Sequence, residues 1–102
     1  MKESKLQKAI INYCRANGIY VVNIYGAGFC SKGVPDLLLC VNGIFIAMEC
    51  KVGDNQLQPD QIIHAKRIEM AGGRWCSPRC LEDAVAVIKD VQHGTVHNFK
   101  RE

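Results

Sequence analysis

Hydrophobic residues near the start of the chain recur at helical spacing. Leu6, Ile10 and Cys14 fall on one side of a helix, whereas most of the neighbouring charged residues fall elsewhere. Gly18 is a typical residue for a left-handed cap at the end of a helix. The pattern therefore predicts a helix over residues 3–17.

Three apolar runs after this helix are typical of strands. Residues 19–24 are rich in β-branched and aromatic types, and a glycine-containing loop follows them. Residues 36–41 and 44–51 form two further runs that are joined by Asn42-Gly43. This dipeptide is a strong signal for a two-residue hairpin, because both residue types tolerate positive φ.

The second half of the chain predicts two helices with a short strand between them. Pro59 suits the first turn of a helix, where its missing N–H costs nothing, and this helix should run to about residue 71 before Gly72-Gly73. Residues 74–77 are expected to form a short strand and residues 81–91 a final helix, with no assignment from residue 92 onward. Strands mixed with covering helices predict one α/β domain over residues 1–102, with two or three layers.

Composition narrows the class of protein. The 102 residues are enough for one small core, and the net charge of +3 permits a nucleic-acid partner without requiring one. No apolar run approaches the ~18–20 residues of a membrane span, and residues 1–5 lack the apolar stretch of a signal peptide, so we expect a cytoplasmic protein with no membrane partner.

The chain is rich in cysteine for its length. Without an export signal, we expect reduced thiols that are mostly packed, and a zinc site remains the alternative. The six cysteines are Cys14, Cys30, Cys40, Cys50, Cys76 and Cys80.

The predicted hairpin fixes a register that brings two acidic residues together. If Val41 pairs with Ile44, counting outward from the turn places Asp36 opposite Glu49, with Lys51 one step further on the same face. Opposed residues have Cβ atoms only ~4.5–5.5 Å apart, and like charges there are destabilising. A divalent cation between the carboxylates would remove that repulsion. Lys51 could then orient or help to deprotonate the water that such an ion activates.

Each of these residues also has an ordinary interpretation. Glu-x-Lys at the end of a strand is usually a solvated edge, and Asp36 after Pro35 is a common turn residue. The functional interpretation therefore depends on the register that unites them.

Pro35-Asp36 followed by Glu49-Cys50-Lys51 resembles the signature of the PD-(D/E)xK nuclease superfamily. More closely, the chain resembles the VRR-NUC family of virus-type replication-repair nucleases. The matching stretches are residues 33–38, 47–51 and 57–61, with Glu3 and Gln7 resembling the family's opening acidic position. The resemblance implies a restriction-endonuclease-like core in which helices flank a central mixed sheet.

The resemblance also implies a metal site for Mg²⁺ or Mn²⁺. Asp36 and Glu49 would be ligands, and the backbone carbonyl of Cys50 would add another. Glu3 would face the same site as an outer ligand, directly or through water; the alternative is that Glu3 is only an acidic residue in the first turn of a helix, favoured by the helix dipole.

Two further catalytic roles follow from the resemblance. Lys51 would serve the attacking water, and Gln61 would help to position Lys51 or the phosphate. Gln56 and Gln58 are the alternatives to Gln61, which is preferred because the helix that Pro59 opens gives it a defined direction.

The implied activity is that of a metal-dependent DNA endonuclease similar to Holliday-junction resolvases. Small family members of bacteria and phages are thought to act as homodimers on branched or double-stranded DNA, which would place this chain in a bacterial or phage-infected cell. Lys32, Gly33 and Tyr25 are the expected DNA contacts. The alternatives are a catalytically silent DNA-binding module of the same fold and a small zinc-binding interaction protein.

Overall fold

The computed structural model describes residues 1–24 and 32–98, with side chains as far as residue 94. Three helices and four strands follow one another in the predicted order. They are α1 (Glu3–Ala16), β1 (Tyr20–Asn23), β2 (Leu37–Val41), β3 (Ile44–Met48), α2 (Pro59–Met70), β4 (Arg74–Cys76) and α3 (Leu81–Asn98).

The four strands form one mixed sheet in the order β1-β2-β3-β4. β2 pairs antiparallel with both β1 and β3, whereas β3 pairs parallel with β4. Asn42 and Gly43 both have positive φ, at 51° and 82°, as a tight hairpin with the twist of its strands requires. Val41 pairs with Ile44, so the predicted register is confirmed.

One face of the sheet carries the hydrophobic core. Alternate residues of β2 and β3 point to this face, and α1 and α3 cover it with apolar residues at helical spacing. The buried residues of the core include Leu6, Ile10, Cys14, Leu37, Leu39, Val41, Ile46, Met48, Ala84, Ile88 and Val91. Among the described residues, no helix is long and apolar enough to cross a bilayer.

The opposite face of the sheet is covered only in part. α2 lies over its β3–β4 side, where Ile68 and Phe45 approach each other beside Gly73, yet no residue of α2 is fully buried. Phe45 is 42% exposed and Cys40 is exposed. Cys40 is thus an exception among the mostly packed thiols that were expected, because its strand position directs it to the uncovered face.

The other described cysteines lie on more enclosed positions. Cys14 and Cys50 are buried, Cys76 and Cys80 are partly buried, and all five described cysteines are free thiols. This agrees with the expectation of reduced, mostly packed cysteines.

Two element boundaries differ from the sequence prediction. β2 and β3 are shorter at the end far from the turn, so Asp36 and residues 49–51 lie just outside the ladder. The last helix was predicted over residues 81–91, whereas α3 continues to Asn98 through Gly94. A glycine inside a helix costs only about 1 kcal/mol, which the remaining hydrogen bonds can offset.

Gly33 ties the turn before Asp36 to the start of α2. Its φ is +90°, and a Cβ atom at this position would lie 2.7 Å from the carbonyl carbon and oxygen of Asp60. Both the left-handed backbone and the close approach require glycine. Gly33 was expected to contact DNA; the structure gives it a packing role, which fixes α2 against the turn that presents Asp36.

We expect Gly33→Ala to destabilise the fold by about 2–4 kcal/mol, because it combines left-handed strain with overlap against the Asp60 backbone. Gly18→Ala is the matched control, since Gly18 has φ +69° and nothing within 4 Å of an added Cβ. The control should lose only about 1–2 kcal/mol. Urea unfolding measures both, and equal losses would contradict the packing role of Gly33.

Candidate active site

Asp36 and Glu49 meet where β2 begins and β3 ends. Leu37 and Met48 form the last ladder pair, and the two acidic residues follow it directly. The Cys50 backbone N–H donates a hydrogen bond to Asp36 Oδ2 at 2.9 Å. This bond turns the Asp36 carboxylate toward the segment that carries Glu49. Asp36 therefore stays beside this segment although both lie beyond the last ladder pair.

The extension of β4 holds the segment of residues 49–51 in place. The Glu49 N–H donates to the Cys76 carbonyl at 2.9 Å, and the Lys51 N–H donates to the Pro78 carbonyl at 3.2 Å. The Ser77 hydroxyl donates to the Glu49 carbonyl at 2.8 Å. The backbone that presents Glu49 and Lys51 is therefore bonded on both sides, as a site that must hold its geometry requires.

The two carboxyl groups lie in an environment that disfavours their charge. Burial raises the pKa of Asp36, and the Glu3 carboxylate adds to the rise, against the opposing hydrogen bond from Cys50. Burial, followed by the Asp36 charge, raises the pKa of Glu49 from its ordinary 4.5 to about 8.

The raised pKa of Glu49 has a defined effect on stability. Between about pH 4.5 and pH 8 the folded protein keeps a proton on this carboxyl that the unfolded chain has released. The contribution of Glu49 to the free energy of unfolding is thus fully present below pH 4.5 and decreases as the pH rises through 8. Above that pH the metal-free fold holds two buried negative charges side by side.

Gln61 fixes one oxygen of Glu49. Its Nε2 donates to Glu49 Oε2 at 3.0 Å, while its Oε1 accepts the Gln58 backbone N–H at 2.8 Å. The backbone donor must face the amide oxygen, so the amide nitrogen necessarily faces the carboxylate. From the sequence, Gln61 was expected to position Lys51 or the phosphate. In the structure its side chain is hydrogen-bonded to Glu49 instead.

The first turns of α1 bring two polar residues to the same place. Gln7, which is only 7% exposed, donates a side-chain hydrogen bond to Asp36. Glu3 Oε2 accepts a hydrogen bond from Asn55 Nδ2 at 2.8 Å, and its charge raises the pKa of both Asp36 and Glu49. α1 therefore adds one donor and one further carboxylate to the site.

Arg79 supports this arrangement from the turn before α3. Its guanidinium donates to the carbonyls of Gly53 and Asn55 at 3.0 and 2.8 Å. Sequence reasoning did not find Arg79, Asn55 or Ser77 as supporting residues. The sequence carries no local signal for them, because each acts on a residue more than 20 positions away.

Lys51 is a cation whose charge acts on the acidic pair. It is only 8% exposed, and its charge opposes the rise in the pKa of both Asp36 and Glu49. Within the described part of the chain, its ammonium forms no ion pair with a carboxylate. Lys51 therefore keeps its donors available at the site.

The oxygen atoms at this site fit a hard divalent cation. Glu49 Oε1 is buried and has no hydrogen-bond partner, a costly state that an ion would relieve. In residues 1–24 and 32–98, no residue donates a hydrogen bond to the Cys50 carbonyl. The same residues contain no cluster of three His, Cys, Asp or Glu side chains suited to a metal. Two carboxylates, one carbonyl and several waters remain a suitable set for Mg²⁺.

The three residues expected to contact DNA lie in different surroundings, and their contacts with DNA stay predictions. Lys32 is exposed next to the turn that leads to Asp36, where a phosphate could reach it. Gly33 packs against Asp60. Tyr25 lies outside the described residues.

We expect Gln61→Glu to destabilise the metal-free protein at pH 8 by about 1–3 kcal/mol. Glutamate can still accept the Gln58 N–H, but it leaves Glu49 without its donor and adds another carboxylate beside Glu49. Gln56→Glu is the matched control, because Gln56 is exposed and donates only to the Asp54 carbonyl. Urea unfolding in EDTA should show a change within about 0.5 kcal/mol for the control. A similar loss in both variants would contradict the role given to Gln61.

The fold of this chain resembles that of two solved structures. One is a VRR_NUC domain that superimposes with a TM-score of 0.71 at 22% identity, covering 85% of this chain and 94% of that one. The other is a VRR_NUC domain protein with a TM-score of 0.73 at 17% identity, covering 88% of this chain and 87% of that one. No family model and no curated protein matches the sequence. The mixed sheet, its helices and these superpositions together show that the chain has the fold of VRR_NUC domains.

Proposed function

We propose that the protein is a divalent-metal-dependent DNA endonuclease that hydrolyses phosphodiester bonds. The observation that carries this proposal is the pairing of the buried Glu49 carboxyl with the partly buried Asp36 carboxyl, beside a buried lysine, Lys51, that forms no ion pair within the described residues. A pair of this kind destabilises the fold unless a cation compensates it. The fold shared with VRR_NUC domains supports the same conclusion.

The residues of the site would hold Mg²⁺ or Mn²⁺. Asp36 and Glu49 supply carboxylate oxygens, and the Cys50 carbonyl supplies a third. Glu3 acts from the first turn of α1 as an outer carboxylate, through water. When bound, the ion polarises a phosphoryl oxygen and lowers the pKa of a coordinated water.

Lys51 and Gln61 have separate tasks in this proposal. The Lys51 ammonium orients the attacking water and stabilises negative charge that develops on the phosphoryl oxygens. Gln61 holds Glu49 Oε2 through its 3.0 Å hydrogen bond, which leaves Oε1 as the free oxygen for the cation. Gln61 is therefore a positioning residue in this account, while Lys51 is catalytic.

We further propose that the enzyme acts as a homodimer on branched DNA, as a Holliday-junction resolvase does. Each chain carries one pair of carboxylates, and two coordinated cuts in a two-fold symmetric junction need two active sites. The net charge of +3 and the exposed Lys32 suit contacts to the phosphate backbone, which position the protein without reading sequence.

Cleavage of a labelled four-way junction and of a matched linear duplex tests the proposal. We expect symmetric cuts in the junction with Mg²⁺ or Mn²⁺ and none with EDTA. Asp36→Ala should abolish cleavage, and Lys51→Ala should lower its rate at least about 100-fold while DNA binding persists. Lys8→Ala is the matched control, because Lys8 is exposed on α1. This variant should cleave the junction at the wild-type rate.

The result that rejects the nuclease is the absence of cleavage at concentrations where the DNA is bound. That outcome would favour a silent DNA-binding module of the same fold. Unchanged cleavage by Lys51→Ala would reject the role of the lysine, and asymmetric single cuts would reject the paired active sites.

A further inference from the structure

A recess lies between α2 and the sheet, on the face that also carries Glu49. Its volume is about 540 Å³, which is within the range of small-ligand sites. One end is formed by Phe45 of β3, and the wall is formed by one side of α2. The lining residues are Phe45, His64, Arg67, Ile68, Ala71 and Gly73.

The lining of this recess is aromatic and cationic. Phe45 is 42% exposed even though it lies on a central strand of the sheet. The Arg67 side chain is exposed and, within the described part of the chain, forms no ion pair or hydrogen bond. No acidic residue lines the recess. Its charge therefore complements an anionic ligand that also has an apolar face.

Gly73 keeps the space beside the Phe45 ring open. A Cβ atom at this position would lie 3.0 Å from Phe45 Cδ2 and 3.1 Å from Ile68 Cγ2. The φ of Gly73 is not positive, so its backbone does not require glycine, in contrast to Gly72 at +99°. The absence of a side chain at position 73 thus leaves room beside the Phe45 ring.

The recess and the carboxylate pair lie along one strand. Phe45, Ala47 and Glu49 alternate with residues that face the core, so they point to the same side. Four residues at ~3.3 Å each separate Phe45 from Glu49 by about 13 Å. The recess is thus near enough for one DNA strand to contact both Phe45 and the carboxylate pair.

We propose that this recess binds an unpaired nucleotide of the DNA strand that is cleaved at the carboxylate pair. The base stacks on Phe45 and the phosphate pairs with Arg67. Stacking on an aromatic ring is the usual way in which proteins hold unpaired bases, and a base inside a duplex does not present its face. The inference rests on the proposed nuclease function, and it gives the preference for branched DNA a physical source.

Binding in EDTA, where no cleavage occurs, tests the recess separately from the nuclease. The probes are a fluorescent 12-nucleotide single strand and the duplex that it forms with its complement, measured by anisotropy. Phe45→Leu keeps apolar volume but removes the aromatic face, and Arg67→Gln removes the charge. Lys66→Gln is the matched control, because Lys66 is exposed on the same helix and does not line the recess.

We expect Phe45→Leu to weaken single-strand binding about tenfold and to leave duplex binding unchanged. Arg67→Gln should weaken single-strand binding and lower its dependence on log salt concentration by about 0.7. The control should change the affinity for either DNA by less than about twofold. If Phe45→Leu does not fold, the exposed Arg67 variant carries the test alone.

Wild-type affinity in both recess variants would overturn the proposal. A second result would also overturn it: Arg67→Gln weakens binding of the single strand and of the duplex equally, and Phe45→Leu weakens neither. The recess would then contact only the DNA backbone. If the wild type cleaves DNA but the recess variants bind DNA with wild-type affinity, only the proposal for the recess is rejected. If the variants show the predicted losses of affinity but the wild type does not cleave DNA, only the nuclease function is rejected. If the wild type binds neither DNA, both proposals fall.

Discussion

The placement of the buried Glu49 carboxyl beside the partly buried Asp36 carboxyl is the constraint on which the rest of this structure depends. Asp36 and Glu49 both have raised pKa values, and one oxygen of Glu49 has no partner among the described residues. Such an arrangement weakens the metal-free fold at neutral pH and above. A protein that retains it must recover the lost stability elsewhere, which the apolar packing of the sheet against α1 and α3 provides.

Several separate elements converge to hold the acidic pair. The hairpin register aligns the strands that lead to it, and Gly33 brings α2 close enough for Gln61 to reach Glu49. From α1, Gln7 donates a hydrogen bond to Asp36, and Glu3 adds a carboxylate at the edge of the site. Because each support comes from a different part of the chain, the geometry of the site is a property of the whole fold.

The fold and the acidic pair could be predicted from the sequence because their signals are local. Asn42-Gly43 fixed the register, and counting along two strands then placed Asp36 opposite Glu49. The supports could not be predicted in this way, since Asn55 and Arg79 act over long separations that no spacing rule reveals. The extension of α3 was missed because local propensity is a weak guide near a helix end.

The most direct test of the central claim is a calorimetric titration of the metal-free protein with Mn²⁺ and with Mg²⁺, in the absence of DNA. We expect saturable binding of the ion by the wild type. Glu49→Gln, which keeps the side-chain size and removes the charge, should bind at least about tenfold more weakly. Equal affinities of the two proteins, or no saturable binding by the wild type, would contradict a metal site at the carboxylate pair.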